Sequence, residues 1–114
     1  MTGCSMGGMG TWELAAAKPE LYAAIAPVAG HHQAEREVFI AKQLKDMPIF
    51  AVHSEDDDTC PFNLEEALWR LLRDNEGNDQ LQVNVAPHIG HCSMFERAYC
   101  DETTLYDWLM NYQR

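Results

Sequence analysis

Three short stretches of the chain hold groups able to do covalent chemistry. Gly3, Cys4, Ser5, Met6 and Gly7 read GxSxG, with a further glycine at position 8. Glycines two before and two after a serine leave room for a strained strand-to-helix turn that lifts the hydroxyl above the helix N-terminus as a nucleophile. The same residues also fit a plain glycine-rich turn. Residues 53–61 carry Glu55, Asp56, Asp57 and Asp58; a buried carboxylate there could orient a histidine and fix its tautomer, although such a run also fits a solvated acidic turn. Residues 87–91 hold His88 and His91, where a neutral imidazole could take the serine proton. Serine, acid and histidine each follow a candidate strand, in the chain order Ser, Asp, His.

The elements that would position these loops follow from periodicity. The glycine-rich turn opens a helix that runs through Glu13 to Ala17 and stops at Pro19. Tyr22 to Val28, small and apolar on both faces and closed by Pro27 and Gly30, suits a buried parallel strand. A helix is expected over Ala34 to Lys45 and a second buried strand over Pro48 to His53, which empties into the acidic loop. Asn63 can cap a further helix and Glu66 completes a capping box; Leu64, Ala67, Leu68, Leu71 and Leu72 form its apolar stripe, which stops at Gly77. Leu81, Val83 and Val85 alternate with Gln82 and Asn84 as a half-exposed edge strand before the loop from Pro87 to Ser93. A last helix from Thr104 puts Leu105, Trp108, Leu109 and Tyr112 on one face. Alternating strands and helices predict an α/β fold with a mostly parallel sheet flanked by helices, in which ligands bind beyond the carboxyl ends of the strands. No linker or repeat divides residues 1–114, which read as one domain.

Composition narrows the partners. With 46% apolar and 23% charged residues the chain is of ordinary globular type. Eight Lys and Arg against eighteen Asp and Glu give a net charge of −10, the wrong sign for a phosphate backbone or an anionic membrane surface. No apolar run approaches the ~20 residues of a membrane span, and the start of the chain has no signal-peptide pattern. Cys4, Cys60, Cys92 and Cys100 show neither a CxxC pair nor zinc-type spacing; free thiols in a reducing, cytoplasmic setting are favoured, with the compartment left open. His31 and His32 read as solvated loop residues, Met6 and Met9 as packing or acyl-pocket residues, and Trp12, Trp69 and Trp108 as core or half-buried helix residues. Residues 55–58 lack the glycine-turned loop of a calcium site.

Together the motifs resemble the α/β-hydrolase superfamily, and within it the branch of esterases, phospholipase- and carboxylesterase-like enzymes, "predicted peptidases" and polyhydroxybutyrate-depolymerase-like proteins. TGCSMGGMGTW is similar to that branch's elbow and helix, DMPIFAVHSEDDDTCP to its strand and HGxxDxxVP segment, HIGHCSMFERAY to its histidine segment, and LYDWLMNYQ to its last helix. Ser54 and Cys60 stand where the pattern has glycine and valine. The resemblance implies Ser5 as nucleophile, His91 as base and then acid, Asp57 as its orienting partner, and the Met6 N–H as one oxyanion-hole donor. It implies cleavage of a small-molecule ester through an acyl-serine, with no metal or organic cofactor. It also implies that several strands of the family's sheet, with the second oxyanion donor, would precede residue 1, so the exposed sheet edge would need an N-terminal half or a second copy to cover it. A non-catalytic remnant acting as a binding module is the alternative reading, and a serine peptidase or a feruloyl esterase/tannase is a further one. The last is suggested by Cys4 and Cys92, which flank Ser5 and His91 as do two disulfide-bonded cysteines of the tannase and feruloyl esterase family.

Overall fold

In the computed structural model, which describes residues 1–86, 90–101 and 104–112, four parallel strands lie side by side in sequence order. They are β1 (Thr2–Cys4), β2 (Ala26–Val28), β3 (Ile49–Ser54) and β4 (Leu81–Ala86). Between and after them run α1 (Met6–Ala17), α2 (Glu37–Gln43), α3 (Phe62–Arg70), α4 (His91–Glu96) and α5 (Thr104–Leu109). β3 pairs with β4 through six residues, from Ile49↔Leu81 to Ser54↔Ala86, and β1 with β2 through three, from Thr2↔Ala26 to Cys4↔Val28.

Side chains that alternate along a strand fill two separate layers. Ile49 and Ala51 face one layer with Trp12, Ile40, Leu44, Leu68 and Leu72, from α1, α2 and α3 with their adjoining turns. Phe50 and Val52 face the other with Met94, Leu105 and Trp108, the Phe50 and Trp108 rings 5.5 Å apart. β3 is therefore buried along its whole length, as expected of a central parallel strand. β4 pairs only with β3 and is half-exposed, in line with its alternating sequence. The three tryptophans are core residues, and among the described residues no helix is long and apolar enough to cross a membrane.

Local expectations give way where tertiary partners compete. β2 spans three residues rather than the seven from Tyr22 to Val28; of the residues before it, only Ile25, bridging to Ile49, continues the alignment. A 3₁₀ turn at Ala34–Arg36 replaces the first turn of the expected second helix, and the α-helical part ends at Gln43. Asn63 does not cap α3; Pro61 occupies the cap position and no side chain bonds there. The apolar stripe is also rotated from the predicted one. Leu64 is 40% exposed, whereas Glu65 is only 1% exposed and shares the inner face with Leu68, Trp69 and Leu72.

A buried polar cluster accounts for that rotation. Glu65 accepts a hydrogen bond from Trp12 Nε1 at 2.9 Å through one oxygen and from His32 Nδ1 at 3.1 Å through the other. His32 Nε2 donates to Glu37 at 2.7 Å. Carboxylates facing both ring nitrogens favour the doubly protonated imidazolium form of His32. The reading of His32 as a solvated loop residue is thus overturned: its side chain is fully buried, because α2 and α3 each send a carboxylate to it.

Two predictions follow from this packing. α1 crosses the exit of β2 at a glycine pair, and a Cβ on Gly8 would stand 2.6 Å from the Gly30 Cα, whereas one on Gly10 would meet nothing within 4 Å. Gly8→Ala should lower the unfolding free energy by about 1–3 kcal/mol or more, and Gly10→Ala should leave it unchanged or raise it by ~0.5–1 kcal/mol; urea denaturation of the two variants distinguishes them. Second, burial pushes the His32 pKa down but the Glu65 and Glu37 bonds and charges outweigh it, so the group lies above the ordinary histidine value. Its stabilising contribution is complete below the unfolded value of about 6.5 and is lost as pH rises through the folded one. Unfolding free energy measured from about pH 6 to pH 9 should therefore fall more in the wild type than in His32→Gln; parallel curves would contradict the assignment.

Candidate active site

Ser5 sits at the junction of β1 and α1 with φ 55° and ψ −116°, a conformation costly for a residue with a Cβ. The surrounding backbone imposes it. The Ser5 N–H bonds to the Val28 carbonyl at 3.0 Å, and its own carbonyl accepts the Met9 N–H at 3.0 Å as the first bond of α1. The chain folds so tightly here that a Cβ on Gly3 would overlap the Gly7 carbonyl. That close approach explains the first glycine of the GxSxG motif. Met6 follows as the first residue of α1, its side chain 76% exposed, and its N–H is among the first-turn donors that have no acceptor inside a helix.

The loops after β3 and β4 bring the other two groups to the same place. His91 opens α4 beyond the end of β4; its Nε2 lies 2.9 Å from Ser5 Oγ and its Nδ1 2.7 Å from Asp57 Oδ2. Asp57, buried at 7% exposure, accepts the Nδ1–H, which leaves Nε2 as the acceptor for the serine hydroxyl. The other carboxylate oxygen is occupied by two backbone donors, the N–H of Thr59 at 2.9 Å and of Cys60 at 2.8 Å. Burial alone would raise the Asp57 pKa; the bond to His91 and the two N–H donors reverse this and hold the carboxyl below its ordinary value. The Phe95 ring packs edge-on against His91, with centroids 5.1 Å apart.

The three aspartates in a row separate by environment. Asp58 is exposed and reaches only the Thr59 hydroxyl at 3.4 Å, while Asp56 accepts from Ser54 Oγ and from the Gly90 N–H. Among the described residues, Asp57 is the one of the three that meets a histidine. The other candidate base, His88, lies outside the described residues.

Two further side chains enter the site without having been singled out for it. His53, fully buried at the end of β3, donates from Nε2 to the Cys60 carbonyl at 2.7 Å and lies 3.4 Å from Asp57 Oδ2. Its signal in the sequence is its place at the end of an apolar strand, as the histidine that opens the HGxxDxxVP-like segment. Cys60 Sγ lies within hydrogen-bonding reach of Ser5 and 3.4 Å from His31 Nδ1; burial pushes the thiol pKa up and the Asp57 charge adds to it. His31 is thus held against Cys60. Cys4, one half of the bridge implied by the tannase-like pattern, is a free thiol packed on the Phe50 and Val52 layer; the side chain of its implied partner, Cys92, lies outside the described residues. Among the described residues no three His, Cys, Asp or Glu side chains converge as metal ligands.

No protein-family model matches the chain, and no curated protein sequence matches it significantly. Solved structures do. A thermostable esterase is 27% identical with a TM-score of 0.84; the match covers 99% of this chain and 30% of that protein. A predicted CIB-like hydrolase from Thermoplasma acidophilum is 19% identical with a TM-score of 0.72, covering 96% of this chain and 49% of its own. An acylaminoacyl peptidase from Pyrococcus horikoshii is 16% identical with a TM-score of 0.78, covering 100% of this chain and 24% of its own. This chain therefore spans between about a quarter and a half of the length of these three proteins. Four parallel strands in sequence order, with helices on both faces and a match across nearly every residue, make this the α/β-hydrolase fold, of which the chain spans a part.

Proposed function

We propose that the chain carries the nucleophile, base and acid of a serine hydrolase that cleaves small carboxylic esters. The observation that carries this reading is the His91 ring, bonded to Ser5 Oγ through one nitrogen and to buried Asp57 through the other. In the first half-reaction Ser5 Oγ attacks the ester carbonyl while its proton passes to His91 Nε2. Asp57 holds the ring in the required tautomer and stabilises the imidazolium that forms. Collapse of the tetrahedral intermediate breaks the carbonyl–alkoxy bond, and the His91 proton leaves with the alcohol. Water, deprotonated by the same nitrogen, then attacks the acyl-serine and releases the acid. The Met6 N–H, at the positive end of α1, would serve as one donor to the developing oxyanion.

The choice of ester over other acyl substrates draws support from the thermostable esterase, the neighbour at 27% identity. One oxyanion donor typically accounts for on the order of 100- to 1,000-fold in turnover. If the second is supplied by sequence preceding this segment, the segment alone turns over slowly while still reacting at Ser5. The uncovered edge of β1 is where that preceding half, or a second copy of the chain, would add its strand.

A fluorophosphonate, which phosphorylates serine nucleophiles irreversibly, separates an active site from an inert remnant. One label per chain is expected on the wild type, none on Ser5→Ala. The second-order labelling rate should fall by about 100- to 10,000-fold in His91→Ala and comparably in Asp57→Asn. Unchanged labelling of Ser5→Ala, or none of the wild type, would overturn the proposal.

A further inference from the structure

Asp56 stands beside Asp57 in the chain but faces a different target. Its Oδ1 accepts the Gly90 N–H at 2.8 Å and the Ser54 hydroxyl at 2.6 Å. Ser54 Oγ itself lies 3.2 Å from the Gly90 nitrogen, so one N–H is shared between a carboxylate and a hydroxyl. Ser54 is the fully buried last residue of β3, a fixed point of the sheet, and Gly90 is the residue immediately before His91. Gly90 holds φ +80°, the left-handed region open to glycine, and turns the chain directly into α4. The polypeptide arriving at His91 is therefore tied to the end of β3 one residue before the imidazole.

We propose that Asp56 is a positioning residue for His91, acting on its backbone while Asp57 acts on its ring. This rests on the reading of His91 as the base. Either attachment alone leaves the imidazole a degree of freedom. A single hydrogen bond from Nδ1 to Asp57 lets the ring pivot with its own backbone, and α4 is only six residues long and begins at His91 itself. With Gly90 fixed to Ser54 and Asp56, the distance from the backbone of His91 to Asp57 is set by a rigid four-residue stretch of β3 and its turn. Nε2 can then meet Ser5 Oγ with little error, and a displacement of about 1 Å in such a geometry costs on the order of 100-fold in rate. The residue pair is not the generic one of the resembling sequences, because the hydroxyl of the clamp belongs to Ser54, where the pattern has a glycine.

The test uses the whole chain and two readouts. The proton on His91 Nδ1, deshielded by its bond to Asp57, gives a far-downfield proton NMR signal assigned by its loss in His91→Ala. Asp56→Ala is expected to broaden or abolish that signal and to slow fluorophosphonate labelling of Ser5 by about 10- to 100-fold. Asp56→Asn, whose amide oxygen still accepts the Gly90 N–H, should recover the signal and most of the rate. Ser54→Ala, which removes the hydroxyl and keeps the carboxylate, should cost only several-fold. In a His91→Ala background the Asp56→Ala effect on labelling should vanish, which a general loss of stability would not produce. Retention of the downfield signal and rate in Asp56→Ala, or an undiminished effect in the His91→Ala background, would overturn the proposal. Should Asp56→Ala not fold by circular dichroism, Asp56→Asn decides: loss of the signal and of the labelling rate in that folded variant would overturn the proposal. A wild type that shows the signal but takes no label would refute the hydrolase reading alone, with the NMR comparison still deciding the role of Asp56.

Discussion

The arrangement depends on one backbone constraint: Ser5 is held at φ 55° and ψ −116° by glycine neighbours that let the chain fold back on itself. A serine elsewhere on the helix or strand would lie along the element. At this turn its hydroxyl projects beyond the sheet, over the first N–H groups of α1, toward the loops that follow β3 and β4. The conformation is unfavourable in isolation and persists because the Ser5 N–H is tied to Val28 and α1 is pressed against Gly30. The stability of the helix–sheet contact is thereby spent on the geometry of one side chain.

Around that point the buried polar groups form two sets with different duties. Asp57 receives His91 and two backbone N–H groups, with the His53 ring braced against the same turn, so each of its oxygens has a fixed assignment. Glu65 receives Trp12 from α1, the helix that Ser5 leads into, and His32 from the loop after β2. The first set aims the imidazole. The second joins α1 to α3, the helix that follows the acid loop, and so keeps the serine and aspartate loops at a constant separation. Both sets replace water with specific partners, the condition under which charged groups can be buried at all.

Much of this was legible in the sequence because strands and reactive residues recur together. A GxSxG turn, an acidic loop and a histidine loop each come at the end of an apolar run, and a parallel sheet gathers such ends on one edge. Asp57 could be told from Asp56 and Asp58 only through the spacing of the resembling pattern, since nothing in three consecutive aspartates marks which one turns inward. His32 was misread and Glu65 passed over for the same physical reason. Each is polar, their partners lie 33 residues apart in the chain, and periodicity counts apolar residues alone. The same blindness to partners shifted the face assigned to α3 from Leu64 to the side bearing Glu65.

In the proposed reaction an acyl group passes through Ser5. Its most direct test is mass spectrometry of the chain quenched in acid during reaction with an activated ester such as p-nitrophenyl acetate. The account predicts one acetyl group, located by fragmentation on Ser5 and absent when His91 is replaced by alanine. Acetylation confined to Cys4, Cys60 or lysine side chains, with Ser5 unmodified, would contradict it.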